Sequence, residues 1–450
     1  MISRVAIPDL RGSARLFERV GRVTQVHGLS VESEGPDAFI GELCSISTAD
    51  AGRTIKAEVV GFRNGRVCLM PMAGLHGISI GAEVVAAGHS SECPVGESLL
   101  GRVVDAMGNP LDDKGSLAAA EFRSLHAQPR PVLSRKRITH TLTTGVKVID
   151  TFLPLGRGQR VGIFAGSGVG KSTLLGMITR NVEADVNVVA LIGERGREVR
   201  EFVDDHLGEG GLKRSVVVVA TADAPAVLRV NAAYYAVVLA EYFRDRGLSV
   251  LLTFDSLTRL AMARREIGLA AGEPPTSRGY TPSMFSEIPS LCERCGTDAG
   301  AGSVTGLFTV LVEGDDLNEP VSDTARATLD GHIVLSRDMA SSGHYPPVDL
   351  LQSVSRLATR LWTPDQNELV ARLVDALATY ERNRQLVEIG AHRLGINADL
   401  DRSLSILPVL KRYLRQSSGE ATSPDEAWRG LRQVLDDTVP PSADIEKSIL

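Results

Sequence analysis

From about residue 21 to residue 87 the chain runs in short strand-like stretches broken by Gly, Asn and Asp. Glu58-Val59-Val60-Gly61-Phe62 and Val67-Cys68-Leu69-Met70 flank the turn Arg63-Asn64-Gly65, a hairpin signal. Several such strands in so short a segment predict a small β-barrel. From about residue 146 to 356 the texture changes to continuous apolar runs at 161–164, 186–192, 215–220, 249–254, 307–312 and 332–335, separated by amphipathic helices. Continuous runs mark strands buried on both faces, hence a mainly parallel sheet in an α/β domain. Past Asp365 the strand runs stop, and residues 365–389 and 404–416 carry apolar positions at helical period. The expected order is a barrel domain over residues 1–95, an α/β domain over 96–364 and a helical domain over 365–450. Residues 108–115, dense in turn formers, read as a linker or an exposed crossing. Residues 6–20 read either as a short amphipathic helix or as a frayed terminus, and the last dozen residues read as frayed.

Composition narrows the function. A chain of 450 residues exceeds what one core usually serves. The net charge of -6 and an aromatic content of 4% argue against neutralising or stacking on nucleic acid. Five scattered cysteines fit reduced thiols. The start has no apolar h-region, and no run of apolar residues is long enough to span a bilayer. The expectation from these tests is a cytoplasmic protein.

The strongest chemical signal is Ala165-Gly166-Ser167-Gly168-Val169-Gly170-Lys171-Ser172-Thr173, which follows a strand and opens a helix. Such a loop wraps phosphates with backbone N–H groups that side chains would block. Lys171 is expected on the β and γ phosphates of a nucleotide, and the Ser172 hydroxyl on Mg²⁺. Leu251-Leu252-Thr253-Phe254-Asp255 ends in an acid suited to holding that ion, directly or through water. In Gly193-Glu194-Arg195-Gly196-Arg197-Glu198 a carboxylate again follows a strand, where it could polarise a water; a solvated charged loop is the plain alternative.

Farther along lies Tyr345-Pro346-Pro347-Val348-Asp349, then Ser353-Val354-Ser355-Arg356. With FAGSGVGKST, GERGREV, LLTFDSLTR and LDGHIVLSR, it resembles the signature of the rotary ATPase α/β superfamily. Within it, the likeness is closest to the type III protein-export ATPases of the bacterial flagellum and the related injectisomes. It runs from about residue 21 to about 416. It implies a β-barrel, a RecA-like P-loop core, a helical C-terminal domain and a homohexameric ring that hydrolyses ATP with Mg²⁺. By position it implies that Glu194 activates water, that Tyr345 stacks on adenine and that Arg356 reaches the neighbouring subunit's nucleotide. Arg195 and Glu198 match residues of the Glu194 loop, and Arg259 an arginine after the Asp255 strand. Glu194 and Arg356 on one chain make every interface of a homohexamer competent. The implied partners are a stator-like negative regulator, a central stalk protein, export chaperones with their substrates, and a membrane export gate. The implied place is cytoplasmic, peripherally associated with the inner-membrane export apparatus.

Four readings compete: the export ATPase, a rotary synthase subunit, a Rho-like translocase and a non-enzymatic scaffold, the last set aside if Lys171→Ala abolishes turnover. A rotary synthase catalytic subunit is disfavoured because no stretch resembles the acidic DELSEED-type segment. A Rho-like RNA translocase is disfavoured by charge and aromatic content. Flagellar use is preferred to injectisome use on the Leu69-Met70-Pro71 segment. Gly390-Ala391-His392 replaces the family's Gly-Ala-Tyr at the second wall of the adenine pocket, leaving His392 open between packing on the base and lying at the surface. Cys292-Glu293-Arg294-Cys295 lacks partners for a metal site and reads as two reduced helix cysteines.

Overall fold

The computed structural model describes residues 18–50, 52–117, 121–127 and 130–436. The terminal expectations lie outside these, except that Val20 opens a strand. The chain divides into two units. One holds the described residues up to Ser91 with Pro225–Val227 and Glu266–Pro274; the other holds Glu92–Ala224, Leu228–Arg265 and the chain from Pro275 onward.

In the first unit, β1 (Val20–His27), β2 (Ser30–Glu34), β3 (Glu42–Ser47), β4 (Thr54–Arg63), β5 (Arg66–Pro71) and β6 (Glu83–Ser90) close into a barrel. Its order is β1-β2-β5-β4-β3-β6. Alternation on β4 buries Ile55, Ala57 and Val59, and the latter two join Val31, Ile46, Leu69 and Val84 in the barrel core. Asn64 and Gly65, at φ 50° and 75°, make the two-residue turn whose twist matches the flanking strands. Closure leaves the barrel without an edge strand.

The second unit is built on eight strands: β7 (Arg102–Val104), β8 (Arg160–Ala165), β9 (Val186–Glu194), β10 (Ser215–Thr221), β11 (Ser249–Asp255), β12 (Ser303–Leu311), β13 (Gly331–Leu335) and β14 (Val348–Ser355). Their order is β14-β13-β8-β12-β11-β9-β10-β7, and the pair Gly296–Thr297 adds a short branch on β12. Every neighbouring pair is parallel except β14 with β13. The six apolar runs fall on β8 to β13. Helices α1 (Lys171–Asn181) and α2 (Gly196–Glu201) follow β8 and β9.

The segment around residues 108–115 is no linker. Arg102 clamps Asp112 through two bonds of 2.8 and 2.9 Å, and the Val103 amide donates to the same carboxylate. Burial opposes ionisation of Asp112, but these bonds win and hold its carboxyl at about 2.

Three helices, α3 (Pro364–Glu388), α4 (Ala398–Leu414) and α5 (Pro424–Asp436), form the C-terminal part, the third beyond those expected. Thr363 and Gln366 form a capping box for α3, with Pro364 in its first turn. The Asn397 side chain accepts from the Leu400 amide and caps α4. Val370, Leu373, Leu410, Leu414 and Leu431 join the apolar cluster that also holds Ile163, Leu174 and Leu307. Among the described residues no helix is long and apolar enough to cross a membrane.

Candidate nucleotide site

Because β8, β9 and β11 run parallel, Ala165, Glu194 and Asp255 finish at one edge of the sheet. Between β8 and α1, Val169 is buried and anchors the loop, while Ser167 and Gly168 are exposed. Gly170 caps α1 at φ 102°, a conformation that side chains avoid. The helix therefore starts at Lys171, and the unpaired N–H groups of its first turn open towards the loop. Ser172 is exposed and Thr173 half-buried in that turn.

The Lys171 ammonium hydrogen-bonds Asp255 and lies 3.8 Å from Glu194 Oε1. Asp255 is 3% exposed, and Thr309 on β12 donates to its Oδ1 at 2.7 Å. Burial, then the Asp255 charge, pushes the Glu194 carboxyl up to about 7 against the pull of Lys171; a hydrogen bond with Glu198 raises it further. That same bond is the chief reason the Glu198 carboxyl sits below its ordinary value. Glu194 Oε1 is buried and has no hydrogen-bond partner among the described residues.

Gly193 has φ 74°, and a Cβ there would meet Arg259 Cβ at 2.8 Å. Arg259 thus packs on the backbone just before Glu194. Arg195 stays outside the cluster: its side chain is 76% exposed and lies 3.5 Å from Glu198. The exposed Tyr345 ring comes beside the loop, its Cε1 3.6 Å from where a Gly170 Cβ would sit. The Tyr345 carbonyl accepts from the Gln416 amide at 3.0 Å.

Arg356 is not brought to this cluster. Leu335 pairs with both Ala165 and Val348, whereas Ser355 pairs with Gly331. Arg356 therefore stands at the other end of the sheet, about 17 Å of strand from Ala165. It is exposed, and its guanidinium donates to the Arg326 carbonyl at 3.1 Å. His392 Nε2 is 2.7 Å from Asp401 Oδ1 on α4, so its ring is held within the C-terminal part.

Two neighbours escaped sequence reading. Thr309 is a hydroxyl inside an apolar strand, the one signal it gives. Arg337, at the start of a short helix, donates to the Ser167 carbonyl at 3.5 Å.

Residues 145–355 match the nucleotide-binding domain of the ATP synthase alpha/beta family, and residues 23–88 its beta-barrel domain. Over 402 residues the chain is 53% identical to the flagellum-specific ATP synthase of Treponema pallidum, covering 89% of this chain and 90% of that protein. The chain belongs to the ATP synthase alpha/beta family. Its place in that family is the branch of flagellum-specific and type III secretion ATPases, and it is an ATPase of that branch. Residues 362–433 match the type III secretion EscN ATPase C-terminal domain. The type 3 secretion system ATPase of Xanthomonas euvesicatoria is 44% identical over 93% of this ATPase and 95% of its own length. The assembled ATPase EscN of enteropathogenic E. coli superposes with a TM-score of 0.88 at 39% identity, covering 92% of this chain and all of that one. A second structure has EscN in complex with its central stalk EscO, at a TM-score of 0.84, 38% identity and the same coverage.

Proposed function

We propose that this ATPase works as a homohexamer, hydrolysing ATP to ADP and phosphate to energise type III protein export, with the flagellum as the machine served. One observation carries the site assignment: the Lys171 ammonium lies between Asp255 and Glu194, directly behind a glycine loop and a helix N-terminus. The backbone of residues 165–173 holds the phosphates, and Lys171 exchanges Asp255 for the β and γ oxygens when nucleotide enters.

The residues fit Mg²⁺. Ser172 and Asp255 offer hard oxygen donors, and two carboxylates facing one ammonium leave an unbalanced negative charge. The ion, bound with ATP, neutralises charge that develops on the γ phosphate. Ionised Glu194 takes the proton of the attacking water through Oε1, the oxygen without a partner. Glu198 tunes that carboxyl, Arg195 pairs with Glu198, and Arg259 fixes the strand end beneath both. Tyr345 offers its exposed ring to the adenine.

Arg356, too far from its own loop, serves the neighbouring subunit's nucleotide, so the site is completed by assembly. EscN's assembled form and its complex with a central stalk support a ring and a stalk partner for this chain as well. Exposed Leu386, Ile389, Leu394 and Ile396, around the turn between α3 and α4, offer that stalk an apolar surface. A negative regulator, chaperones with their cargo, the export gate and a peripheral inner-membrane position belong to the same reading. So does a division into domains near residues 95 and 364.

Lys171→Ala in the full chain is expected to abolish turnover. Glu194→Gln is expected to stop hydrolysis with nucleotide affinity retained. Turnover by purified monomer at the hexamer's rate per subunit would sink the shared site. Injectisome service is the second reading, since injectisome relatives at 44–45% identity reach the lower end of the flagellar range of 45–53%. A deletion strain that swims normally but fails to secrete effectors would select it.

A further inference from the structure

The far end of the sheet carries a second cavity. Ser249, which lines it, and Asp255 at the nucleotide edge are the first and last of the seven residues of β11, about 20 Å of strand apart. The cavity measures about 710 Å³, within the range of small-molecule sites. It is lined by three bases, Lys136, Arg137 and Arg157, and two acids, Glu183 and Asp298, an excess of one positive charge. Lys136 spends one donor on the Gly300 carbonyl at 2.8 Å, and Asp298 lies 3.9 Å from Arg130. Arg137 and Arg157 are exposed, and neither guanidinium has a hydrogen bond or ion pair among the described residues.

An independent observation comes from Ser249. The residue is 7% exposed, yet its hydroxyl is buried without a hydrogen-bond partner among the described residues. A buried hydroxyl left unpaired costs about 1–3 kcal/mol, so a partner gained at the cavity wall is stabilising. The two unengaged guanidinium forks that line the same cavity match the paired oxygens of phosphate or carboxylate groups.

We infer that this cavity is a second binding site, separate from the glycine loop, for a small polyanion bearing phosphate or carboxylate groups. Arg137 and Arg157 grip its oxygens and the Ser249 hydroxyl completes the contact.

The test uses the full chain saturated with Mg²⁺ and ADP, so that the loop is already filled. Pyrophosphate and citrate are titrated in separately by calorimetry, with hydrogen exchange followed over residues 136–143 and 297–303. Saturable heat with protection of both segments is expected from at least one probe, and the responding probe tells phosphate from carboxylate chemistry. The Arg137→Gln/Arg157→Gln variant should bind that probe at least about tenfold more weakly while binding ADP as before. Both arginines are exposed, so the variant should melt as the parent does, and Ser249→Ala supplies a second weakening that leaves both charges in place. No heat from either probe would overturn the site. So would heat that vanishes once ADP is present, or a double variant that binds like the parent.

Discussion

The raised carboxyl of Glu194 makes the rate of hydrolysis depend on pH in a range where an ordinary glutamate would be silent. Glu194 acts as a base only when ionised, and burial with the Asp255 charge moves its carboxyl to about 7. At about pH 6 roughly a tenth of the sites then carry the base, and at about pH 8 roughly nine-tenths, so kcat/KM should rise about ninefold across that interval. A carboxyl at its ordinary value would be about 97% ionised at pH 6 and would give a flat profile. The assay is steady-state phosphate release by assembled protein with Mg²⁺ in excess. Phosphate groups of the substrate also titrate in this region, so nucleotide affinity is measured over the same pH range on Glu194→Gln, and any slope found there belongs to ATP. Glu198→Gln carries the second arm. Both the hydrogen bond and the charge of Glu198 raise Glu194, so removing that carboxylate should shift the limb to lower pH. A flat parent profile, or a Glu198→Gln limb that stays or moves up, would refute the assignment of the base.

Gly193→Ala forces a side chain into a left-handed conformation and drives its Cβ to 2.8 Å from Arg259 Cβ; a loss of at least about 1–2 kcal/mol in thermal or urea unfolding is expected, with kcat reduced. Arg356→Ala should leave nucleotide affinity of the isolated subunit unchanged and lower assembled turnover by about 10³ or more, read as kcat against ATP binding. Arg102→Ala removes one of several donors that hold the half-buried Asp112 carboxylate, so denaturant unfolding should show a loss of about 1–2 kcal/mol.

Legibility in the sequence followed how local each cause is. The loop at residues 165–173 was readable because glycine, lysine and hydroxyl residues act through their neighbours in the chain. Glu194 and Asp255 were readable because each ends an apolar run, and parallel pairing brings such ends together. Thr309 was hidden, since its bond to Asp255 exists only because β12 lies between β8 and β11. Arg337 was hidden for the same reason, reaching Ser167 across the fold. At three residues β7 is too short to show a period, and α5 is a single short helix that fully buries only Ala427, Leu431 and Val434. Residues 108–115 are largely exposed, as a crossing would be, but the clamp was hidden because Arg102 and Asp112 stand ten residues apart in the chain. Arg195 was adjacent in sequence to the base, yet adjacency at a strand end sends successive side chains to different sides.

The position of Arg356 also bears on genetics. On the proposed ring, a chain lacking Arg356 keeps its own loop sound and disables its neighbour's, whereas a chain lacking Lys171 disables only itself. Each kind of mutant is inert as a pure protein. Co-assembled in equal amounts, they should recover activity at about a quarter of the sites, wherever a sound loop meets a sound arginine. Two dead alleles would then complement within one ring, a behaviour ordinarily taken to mean two different genes.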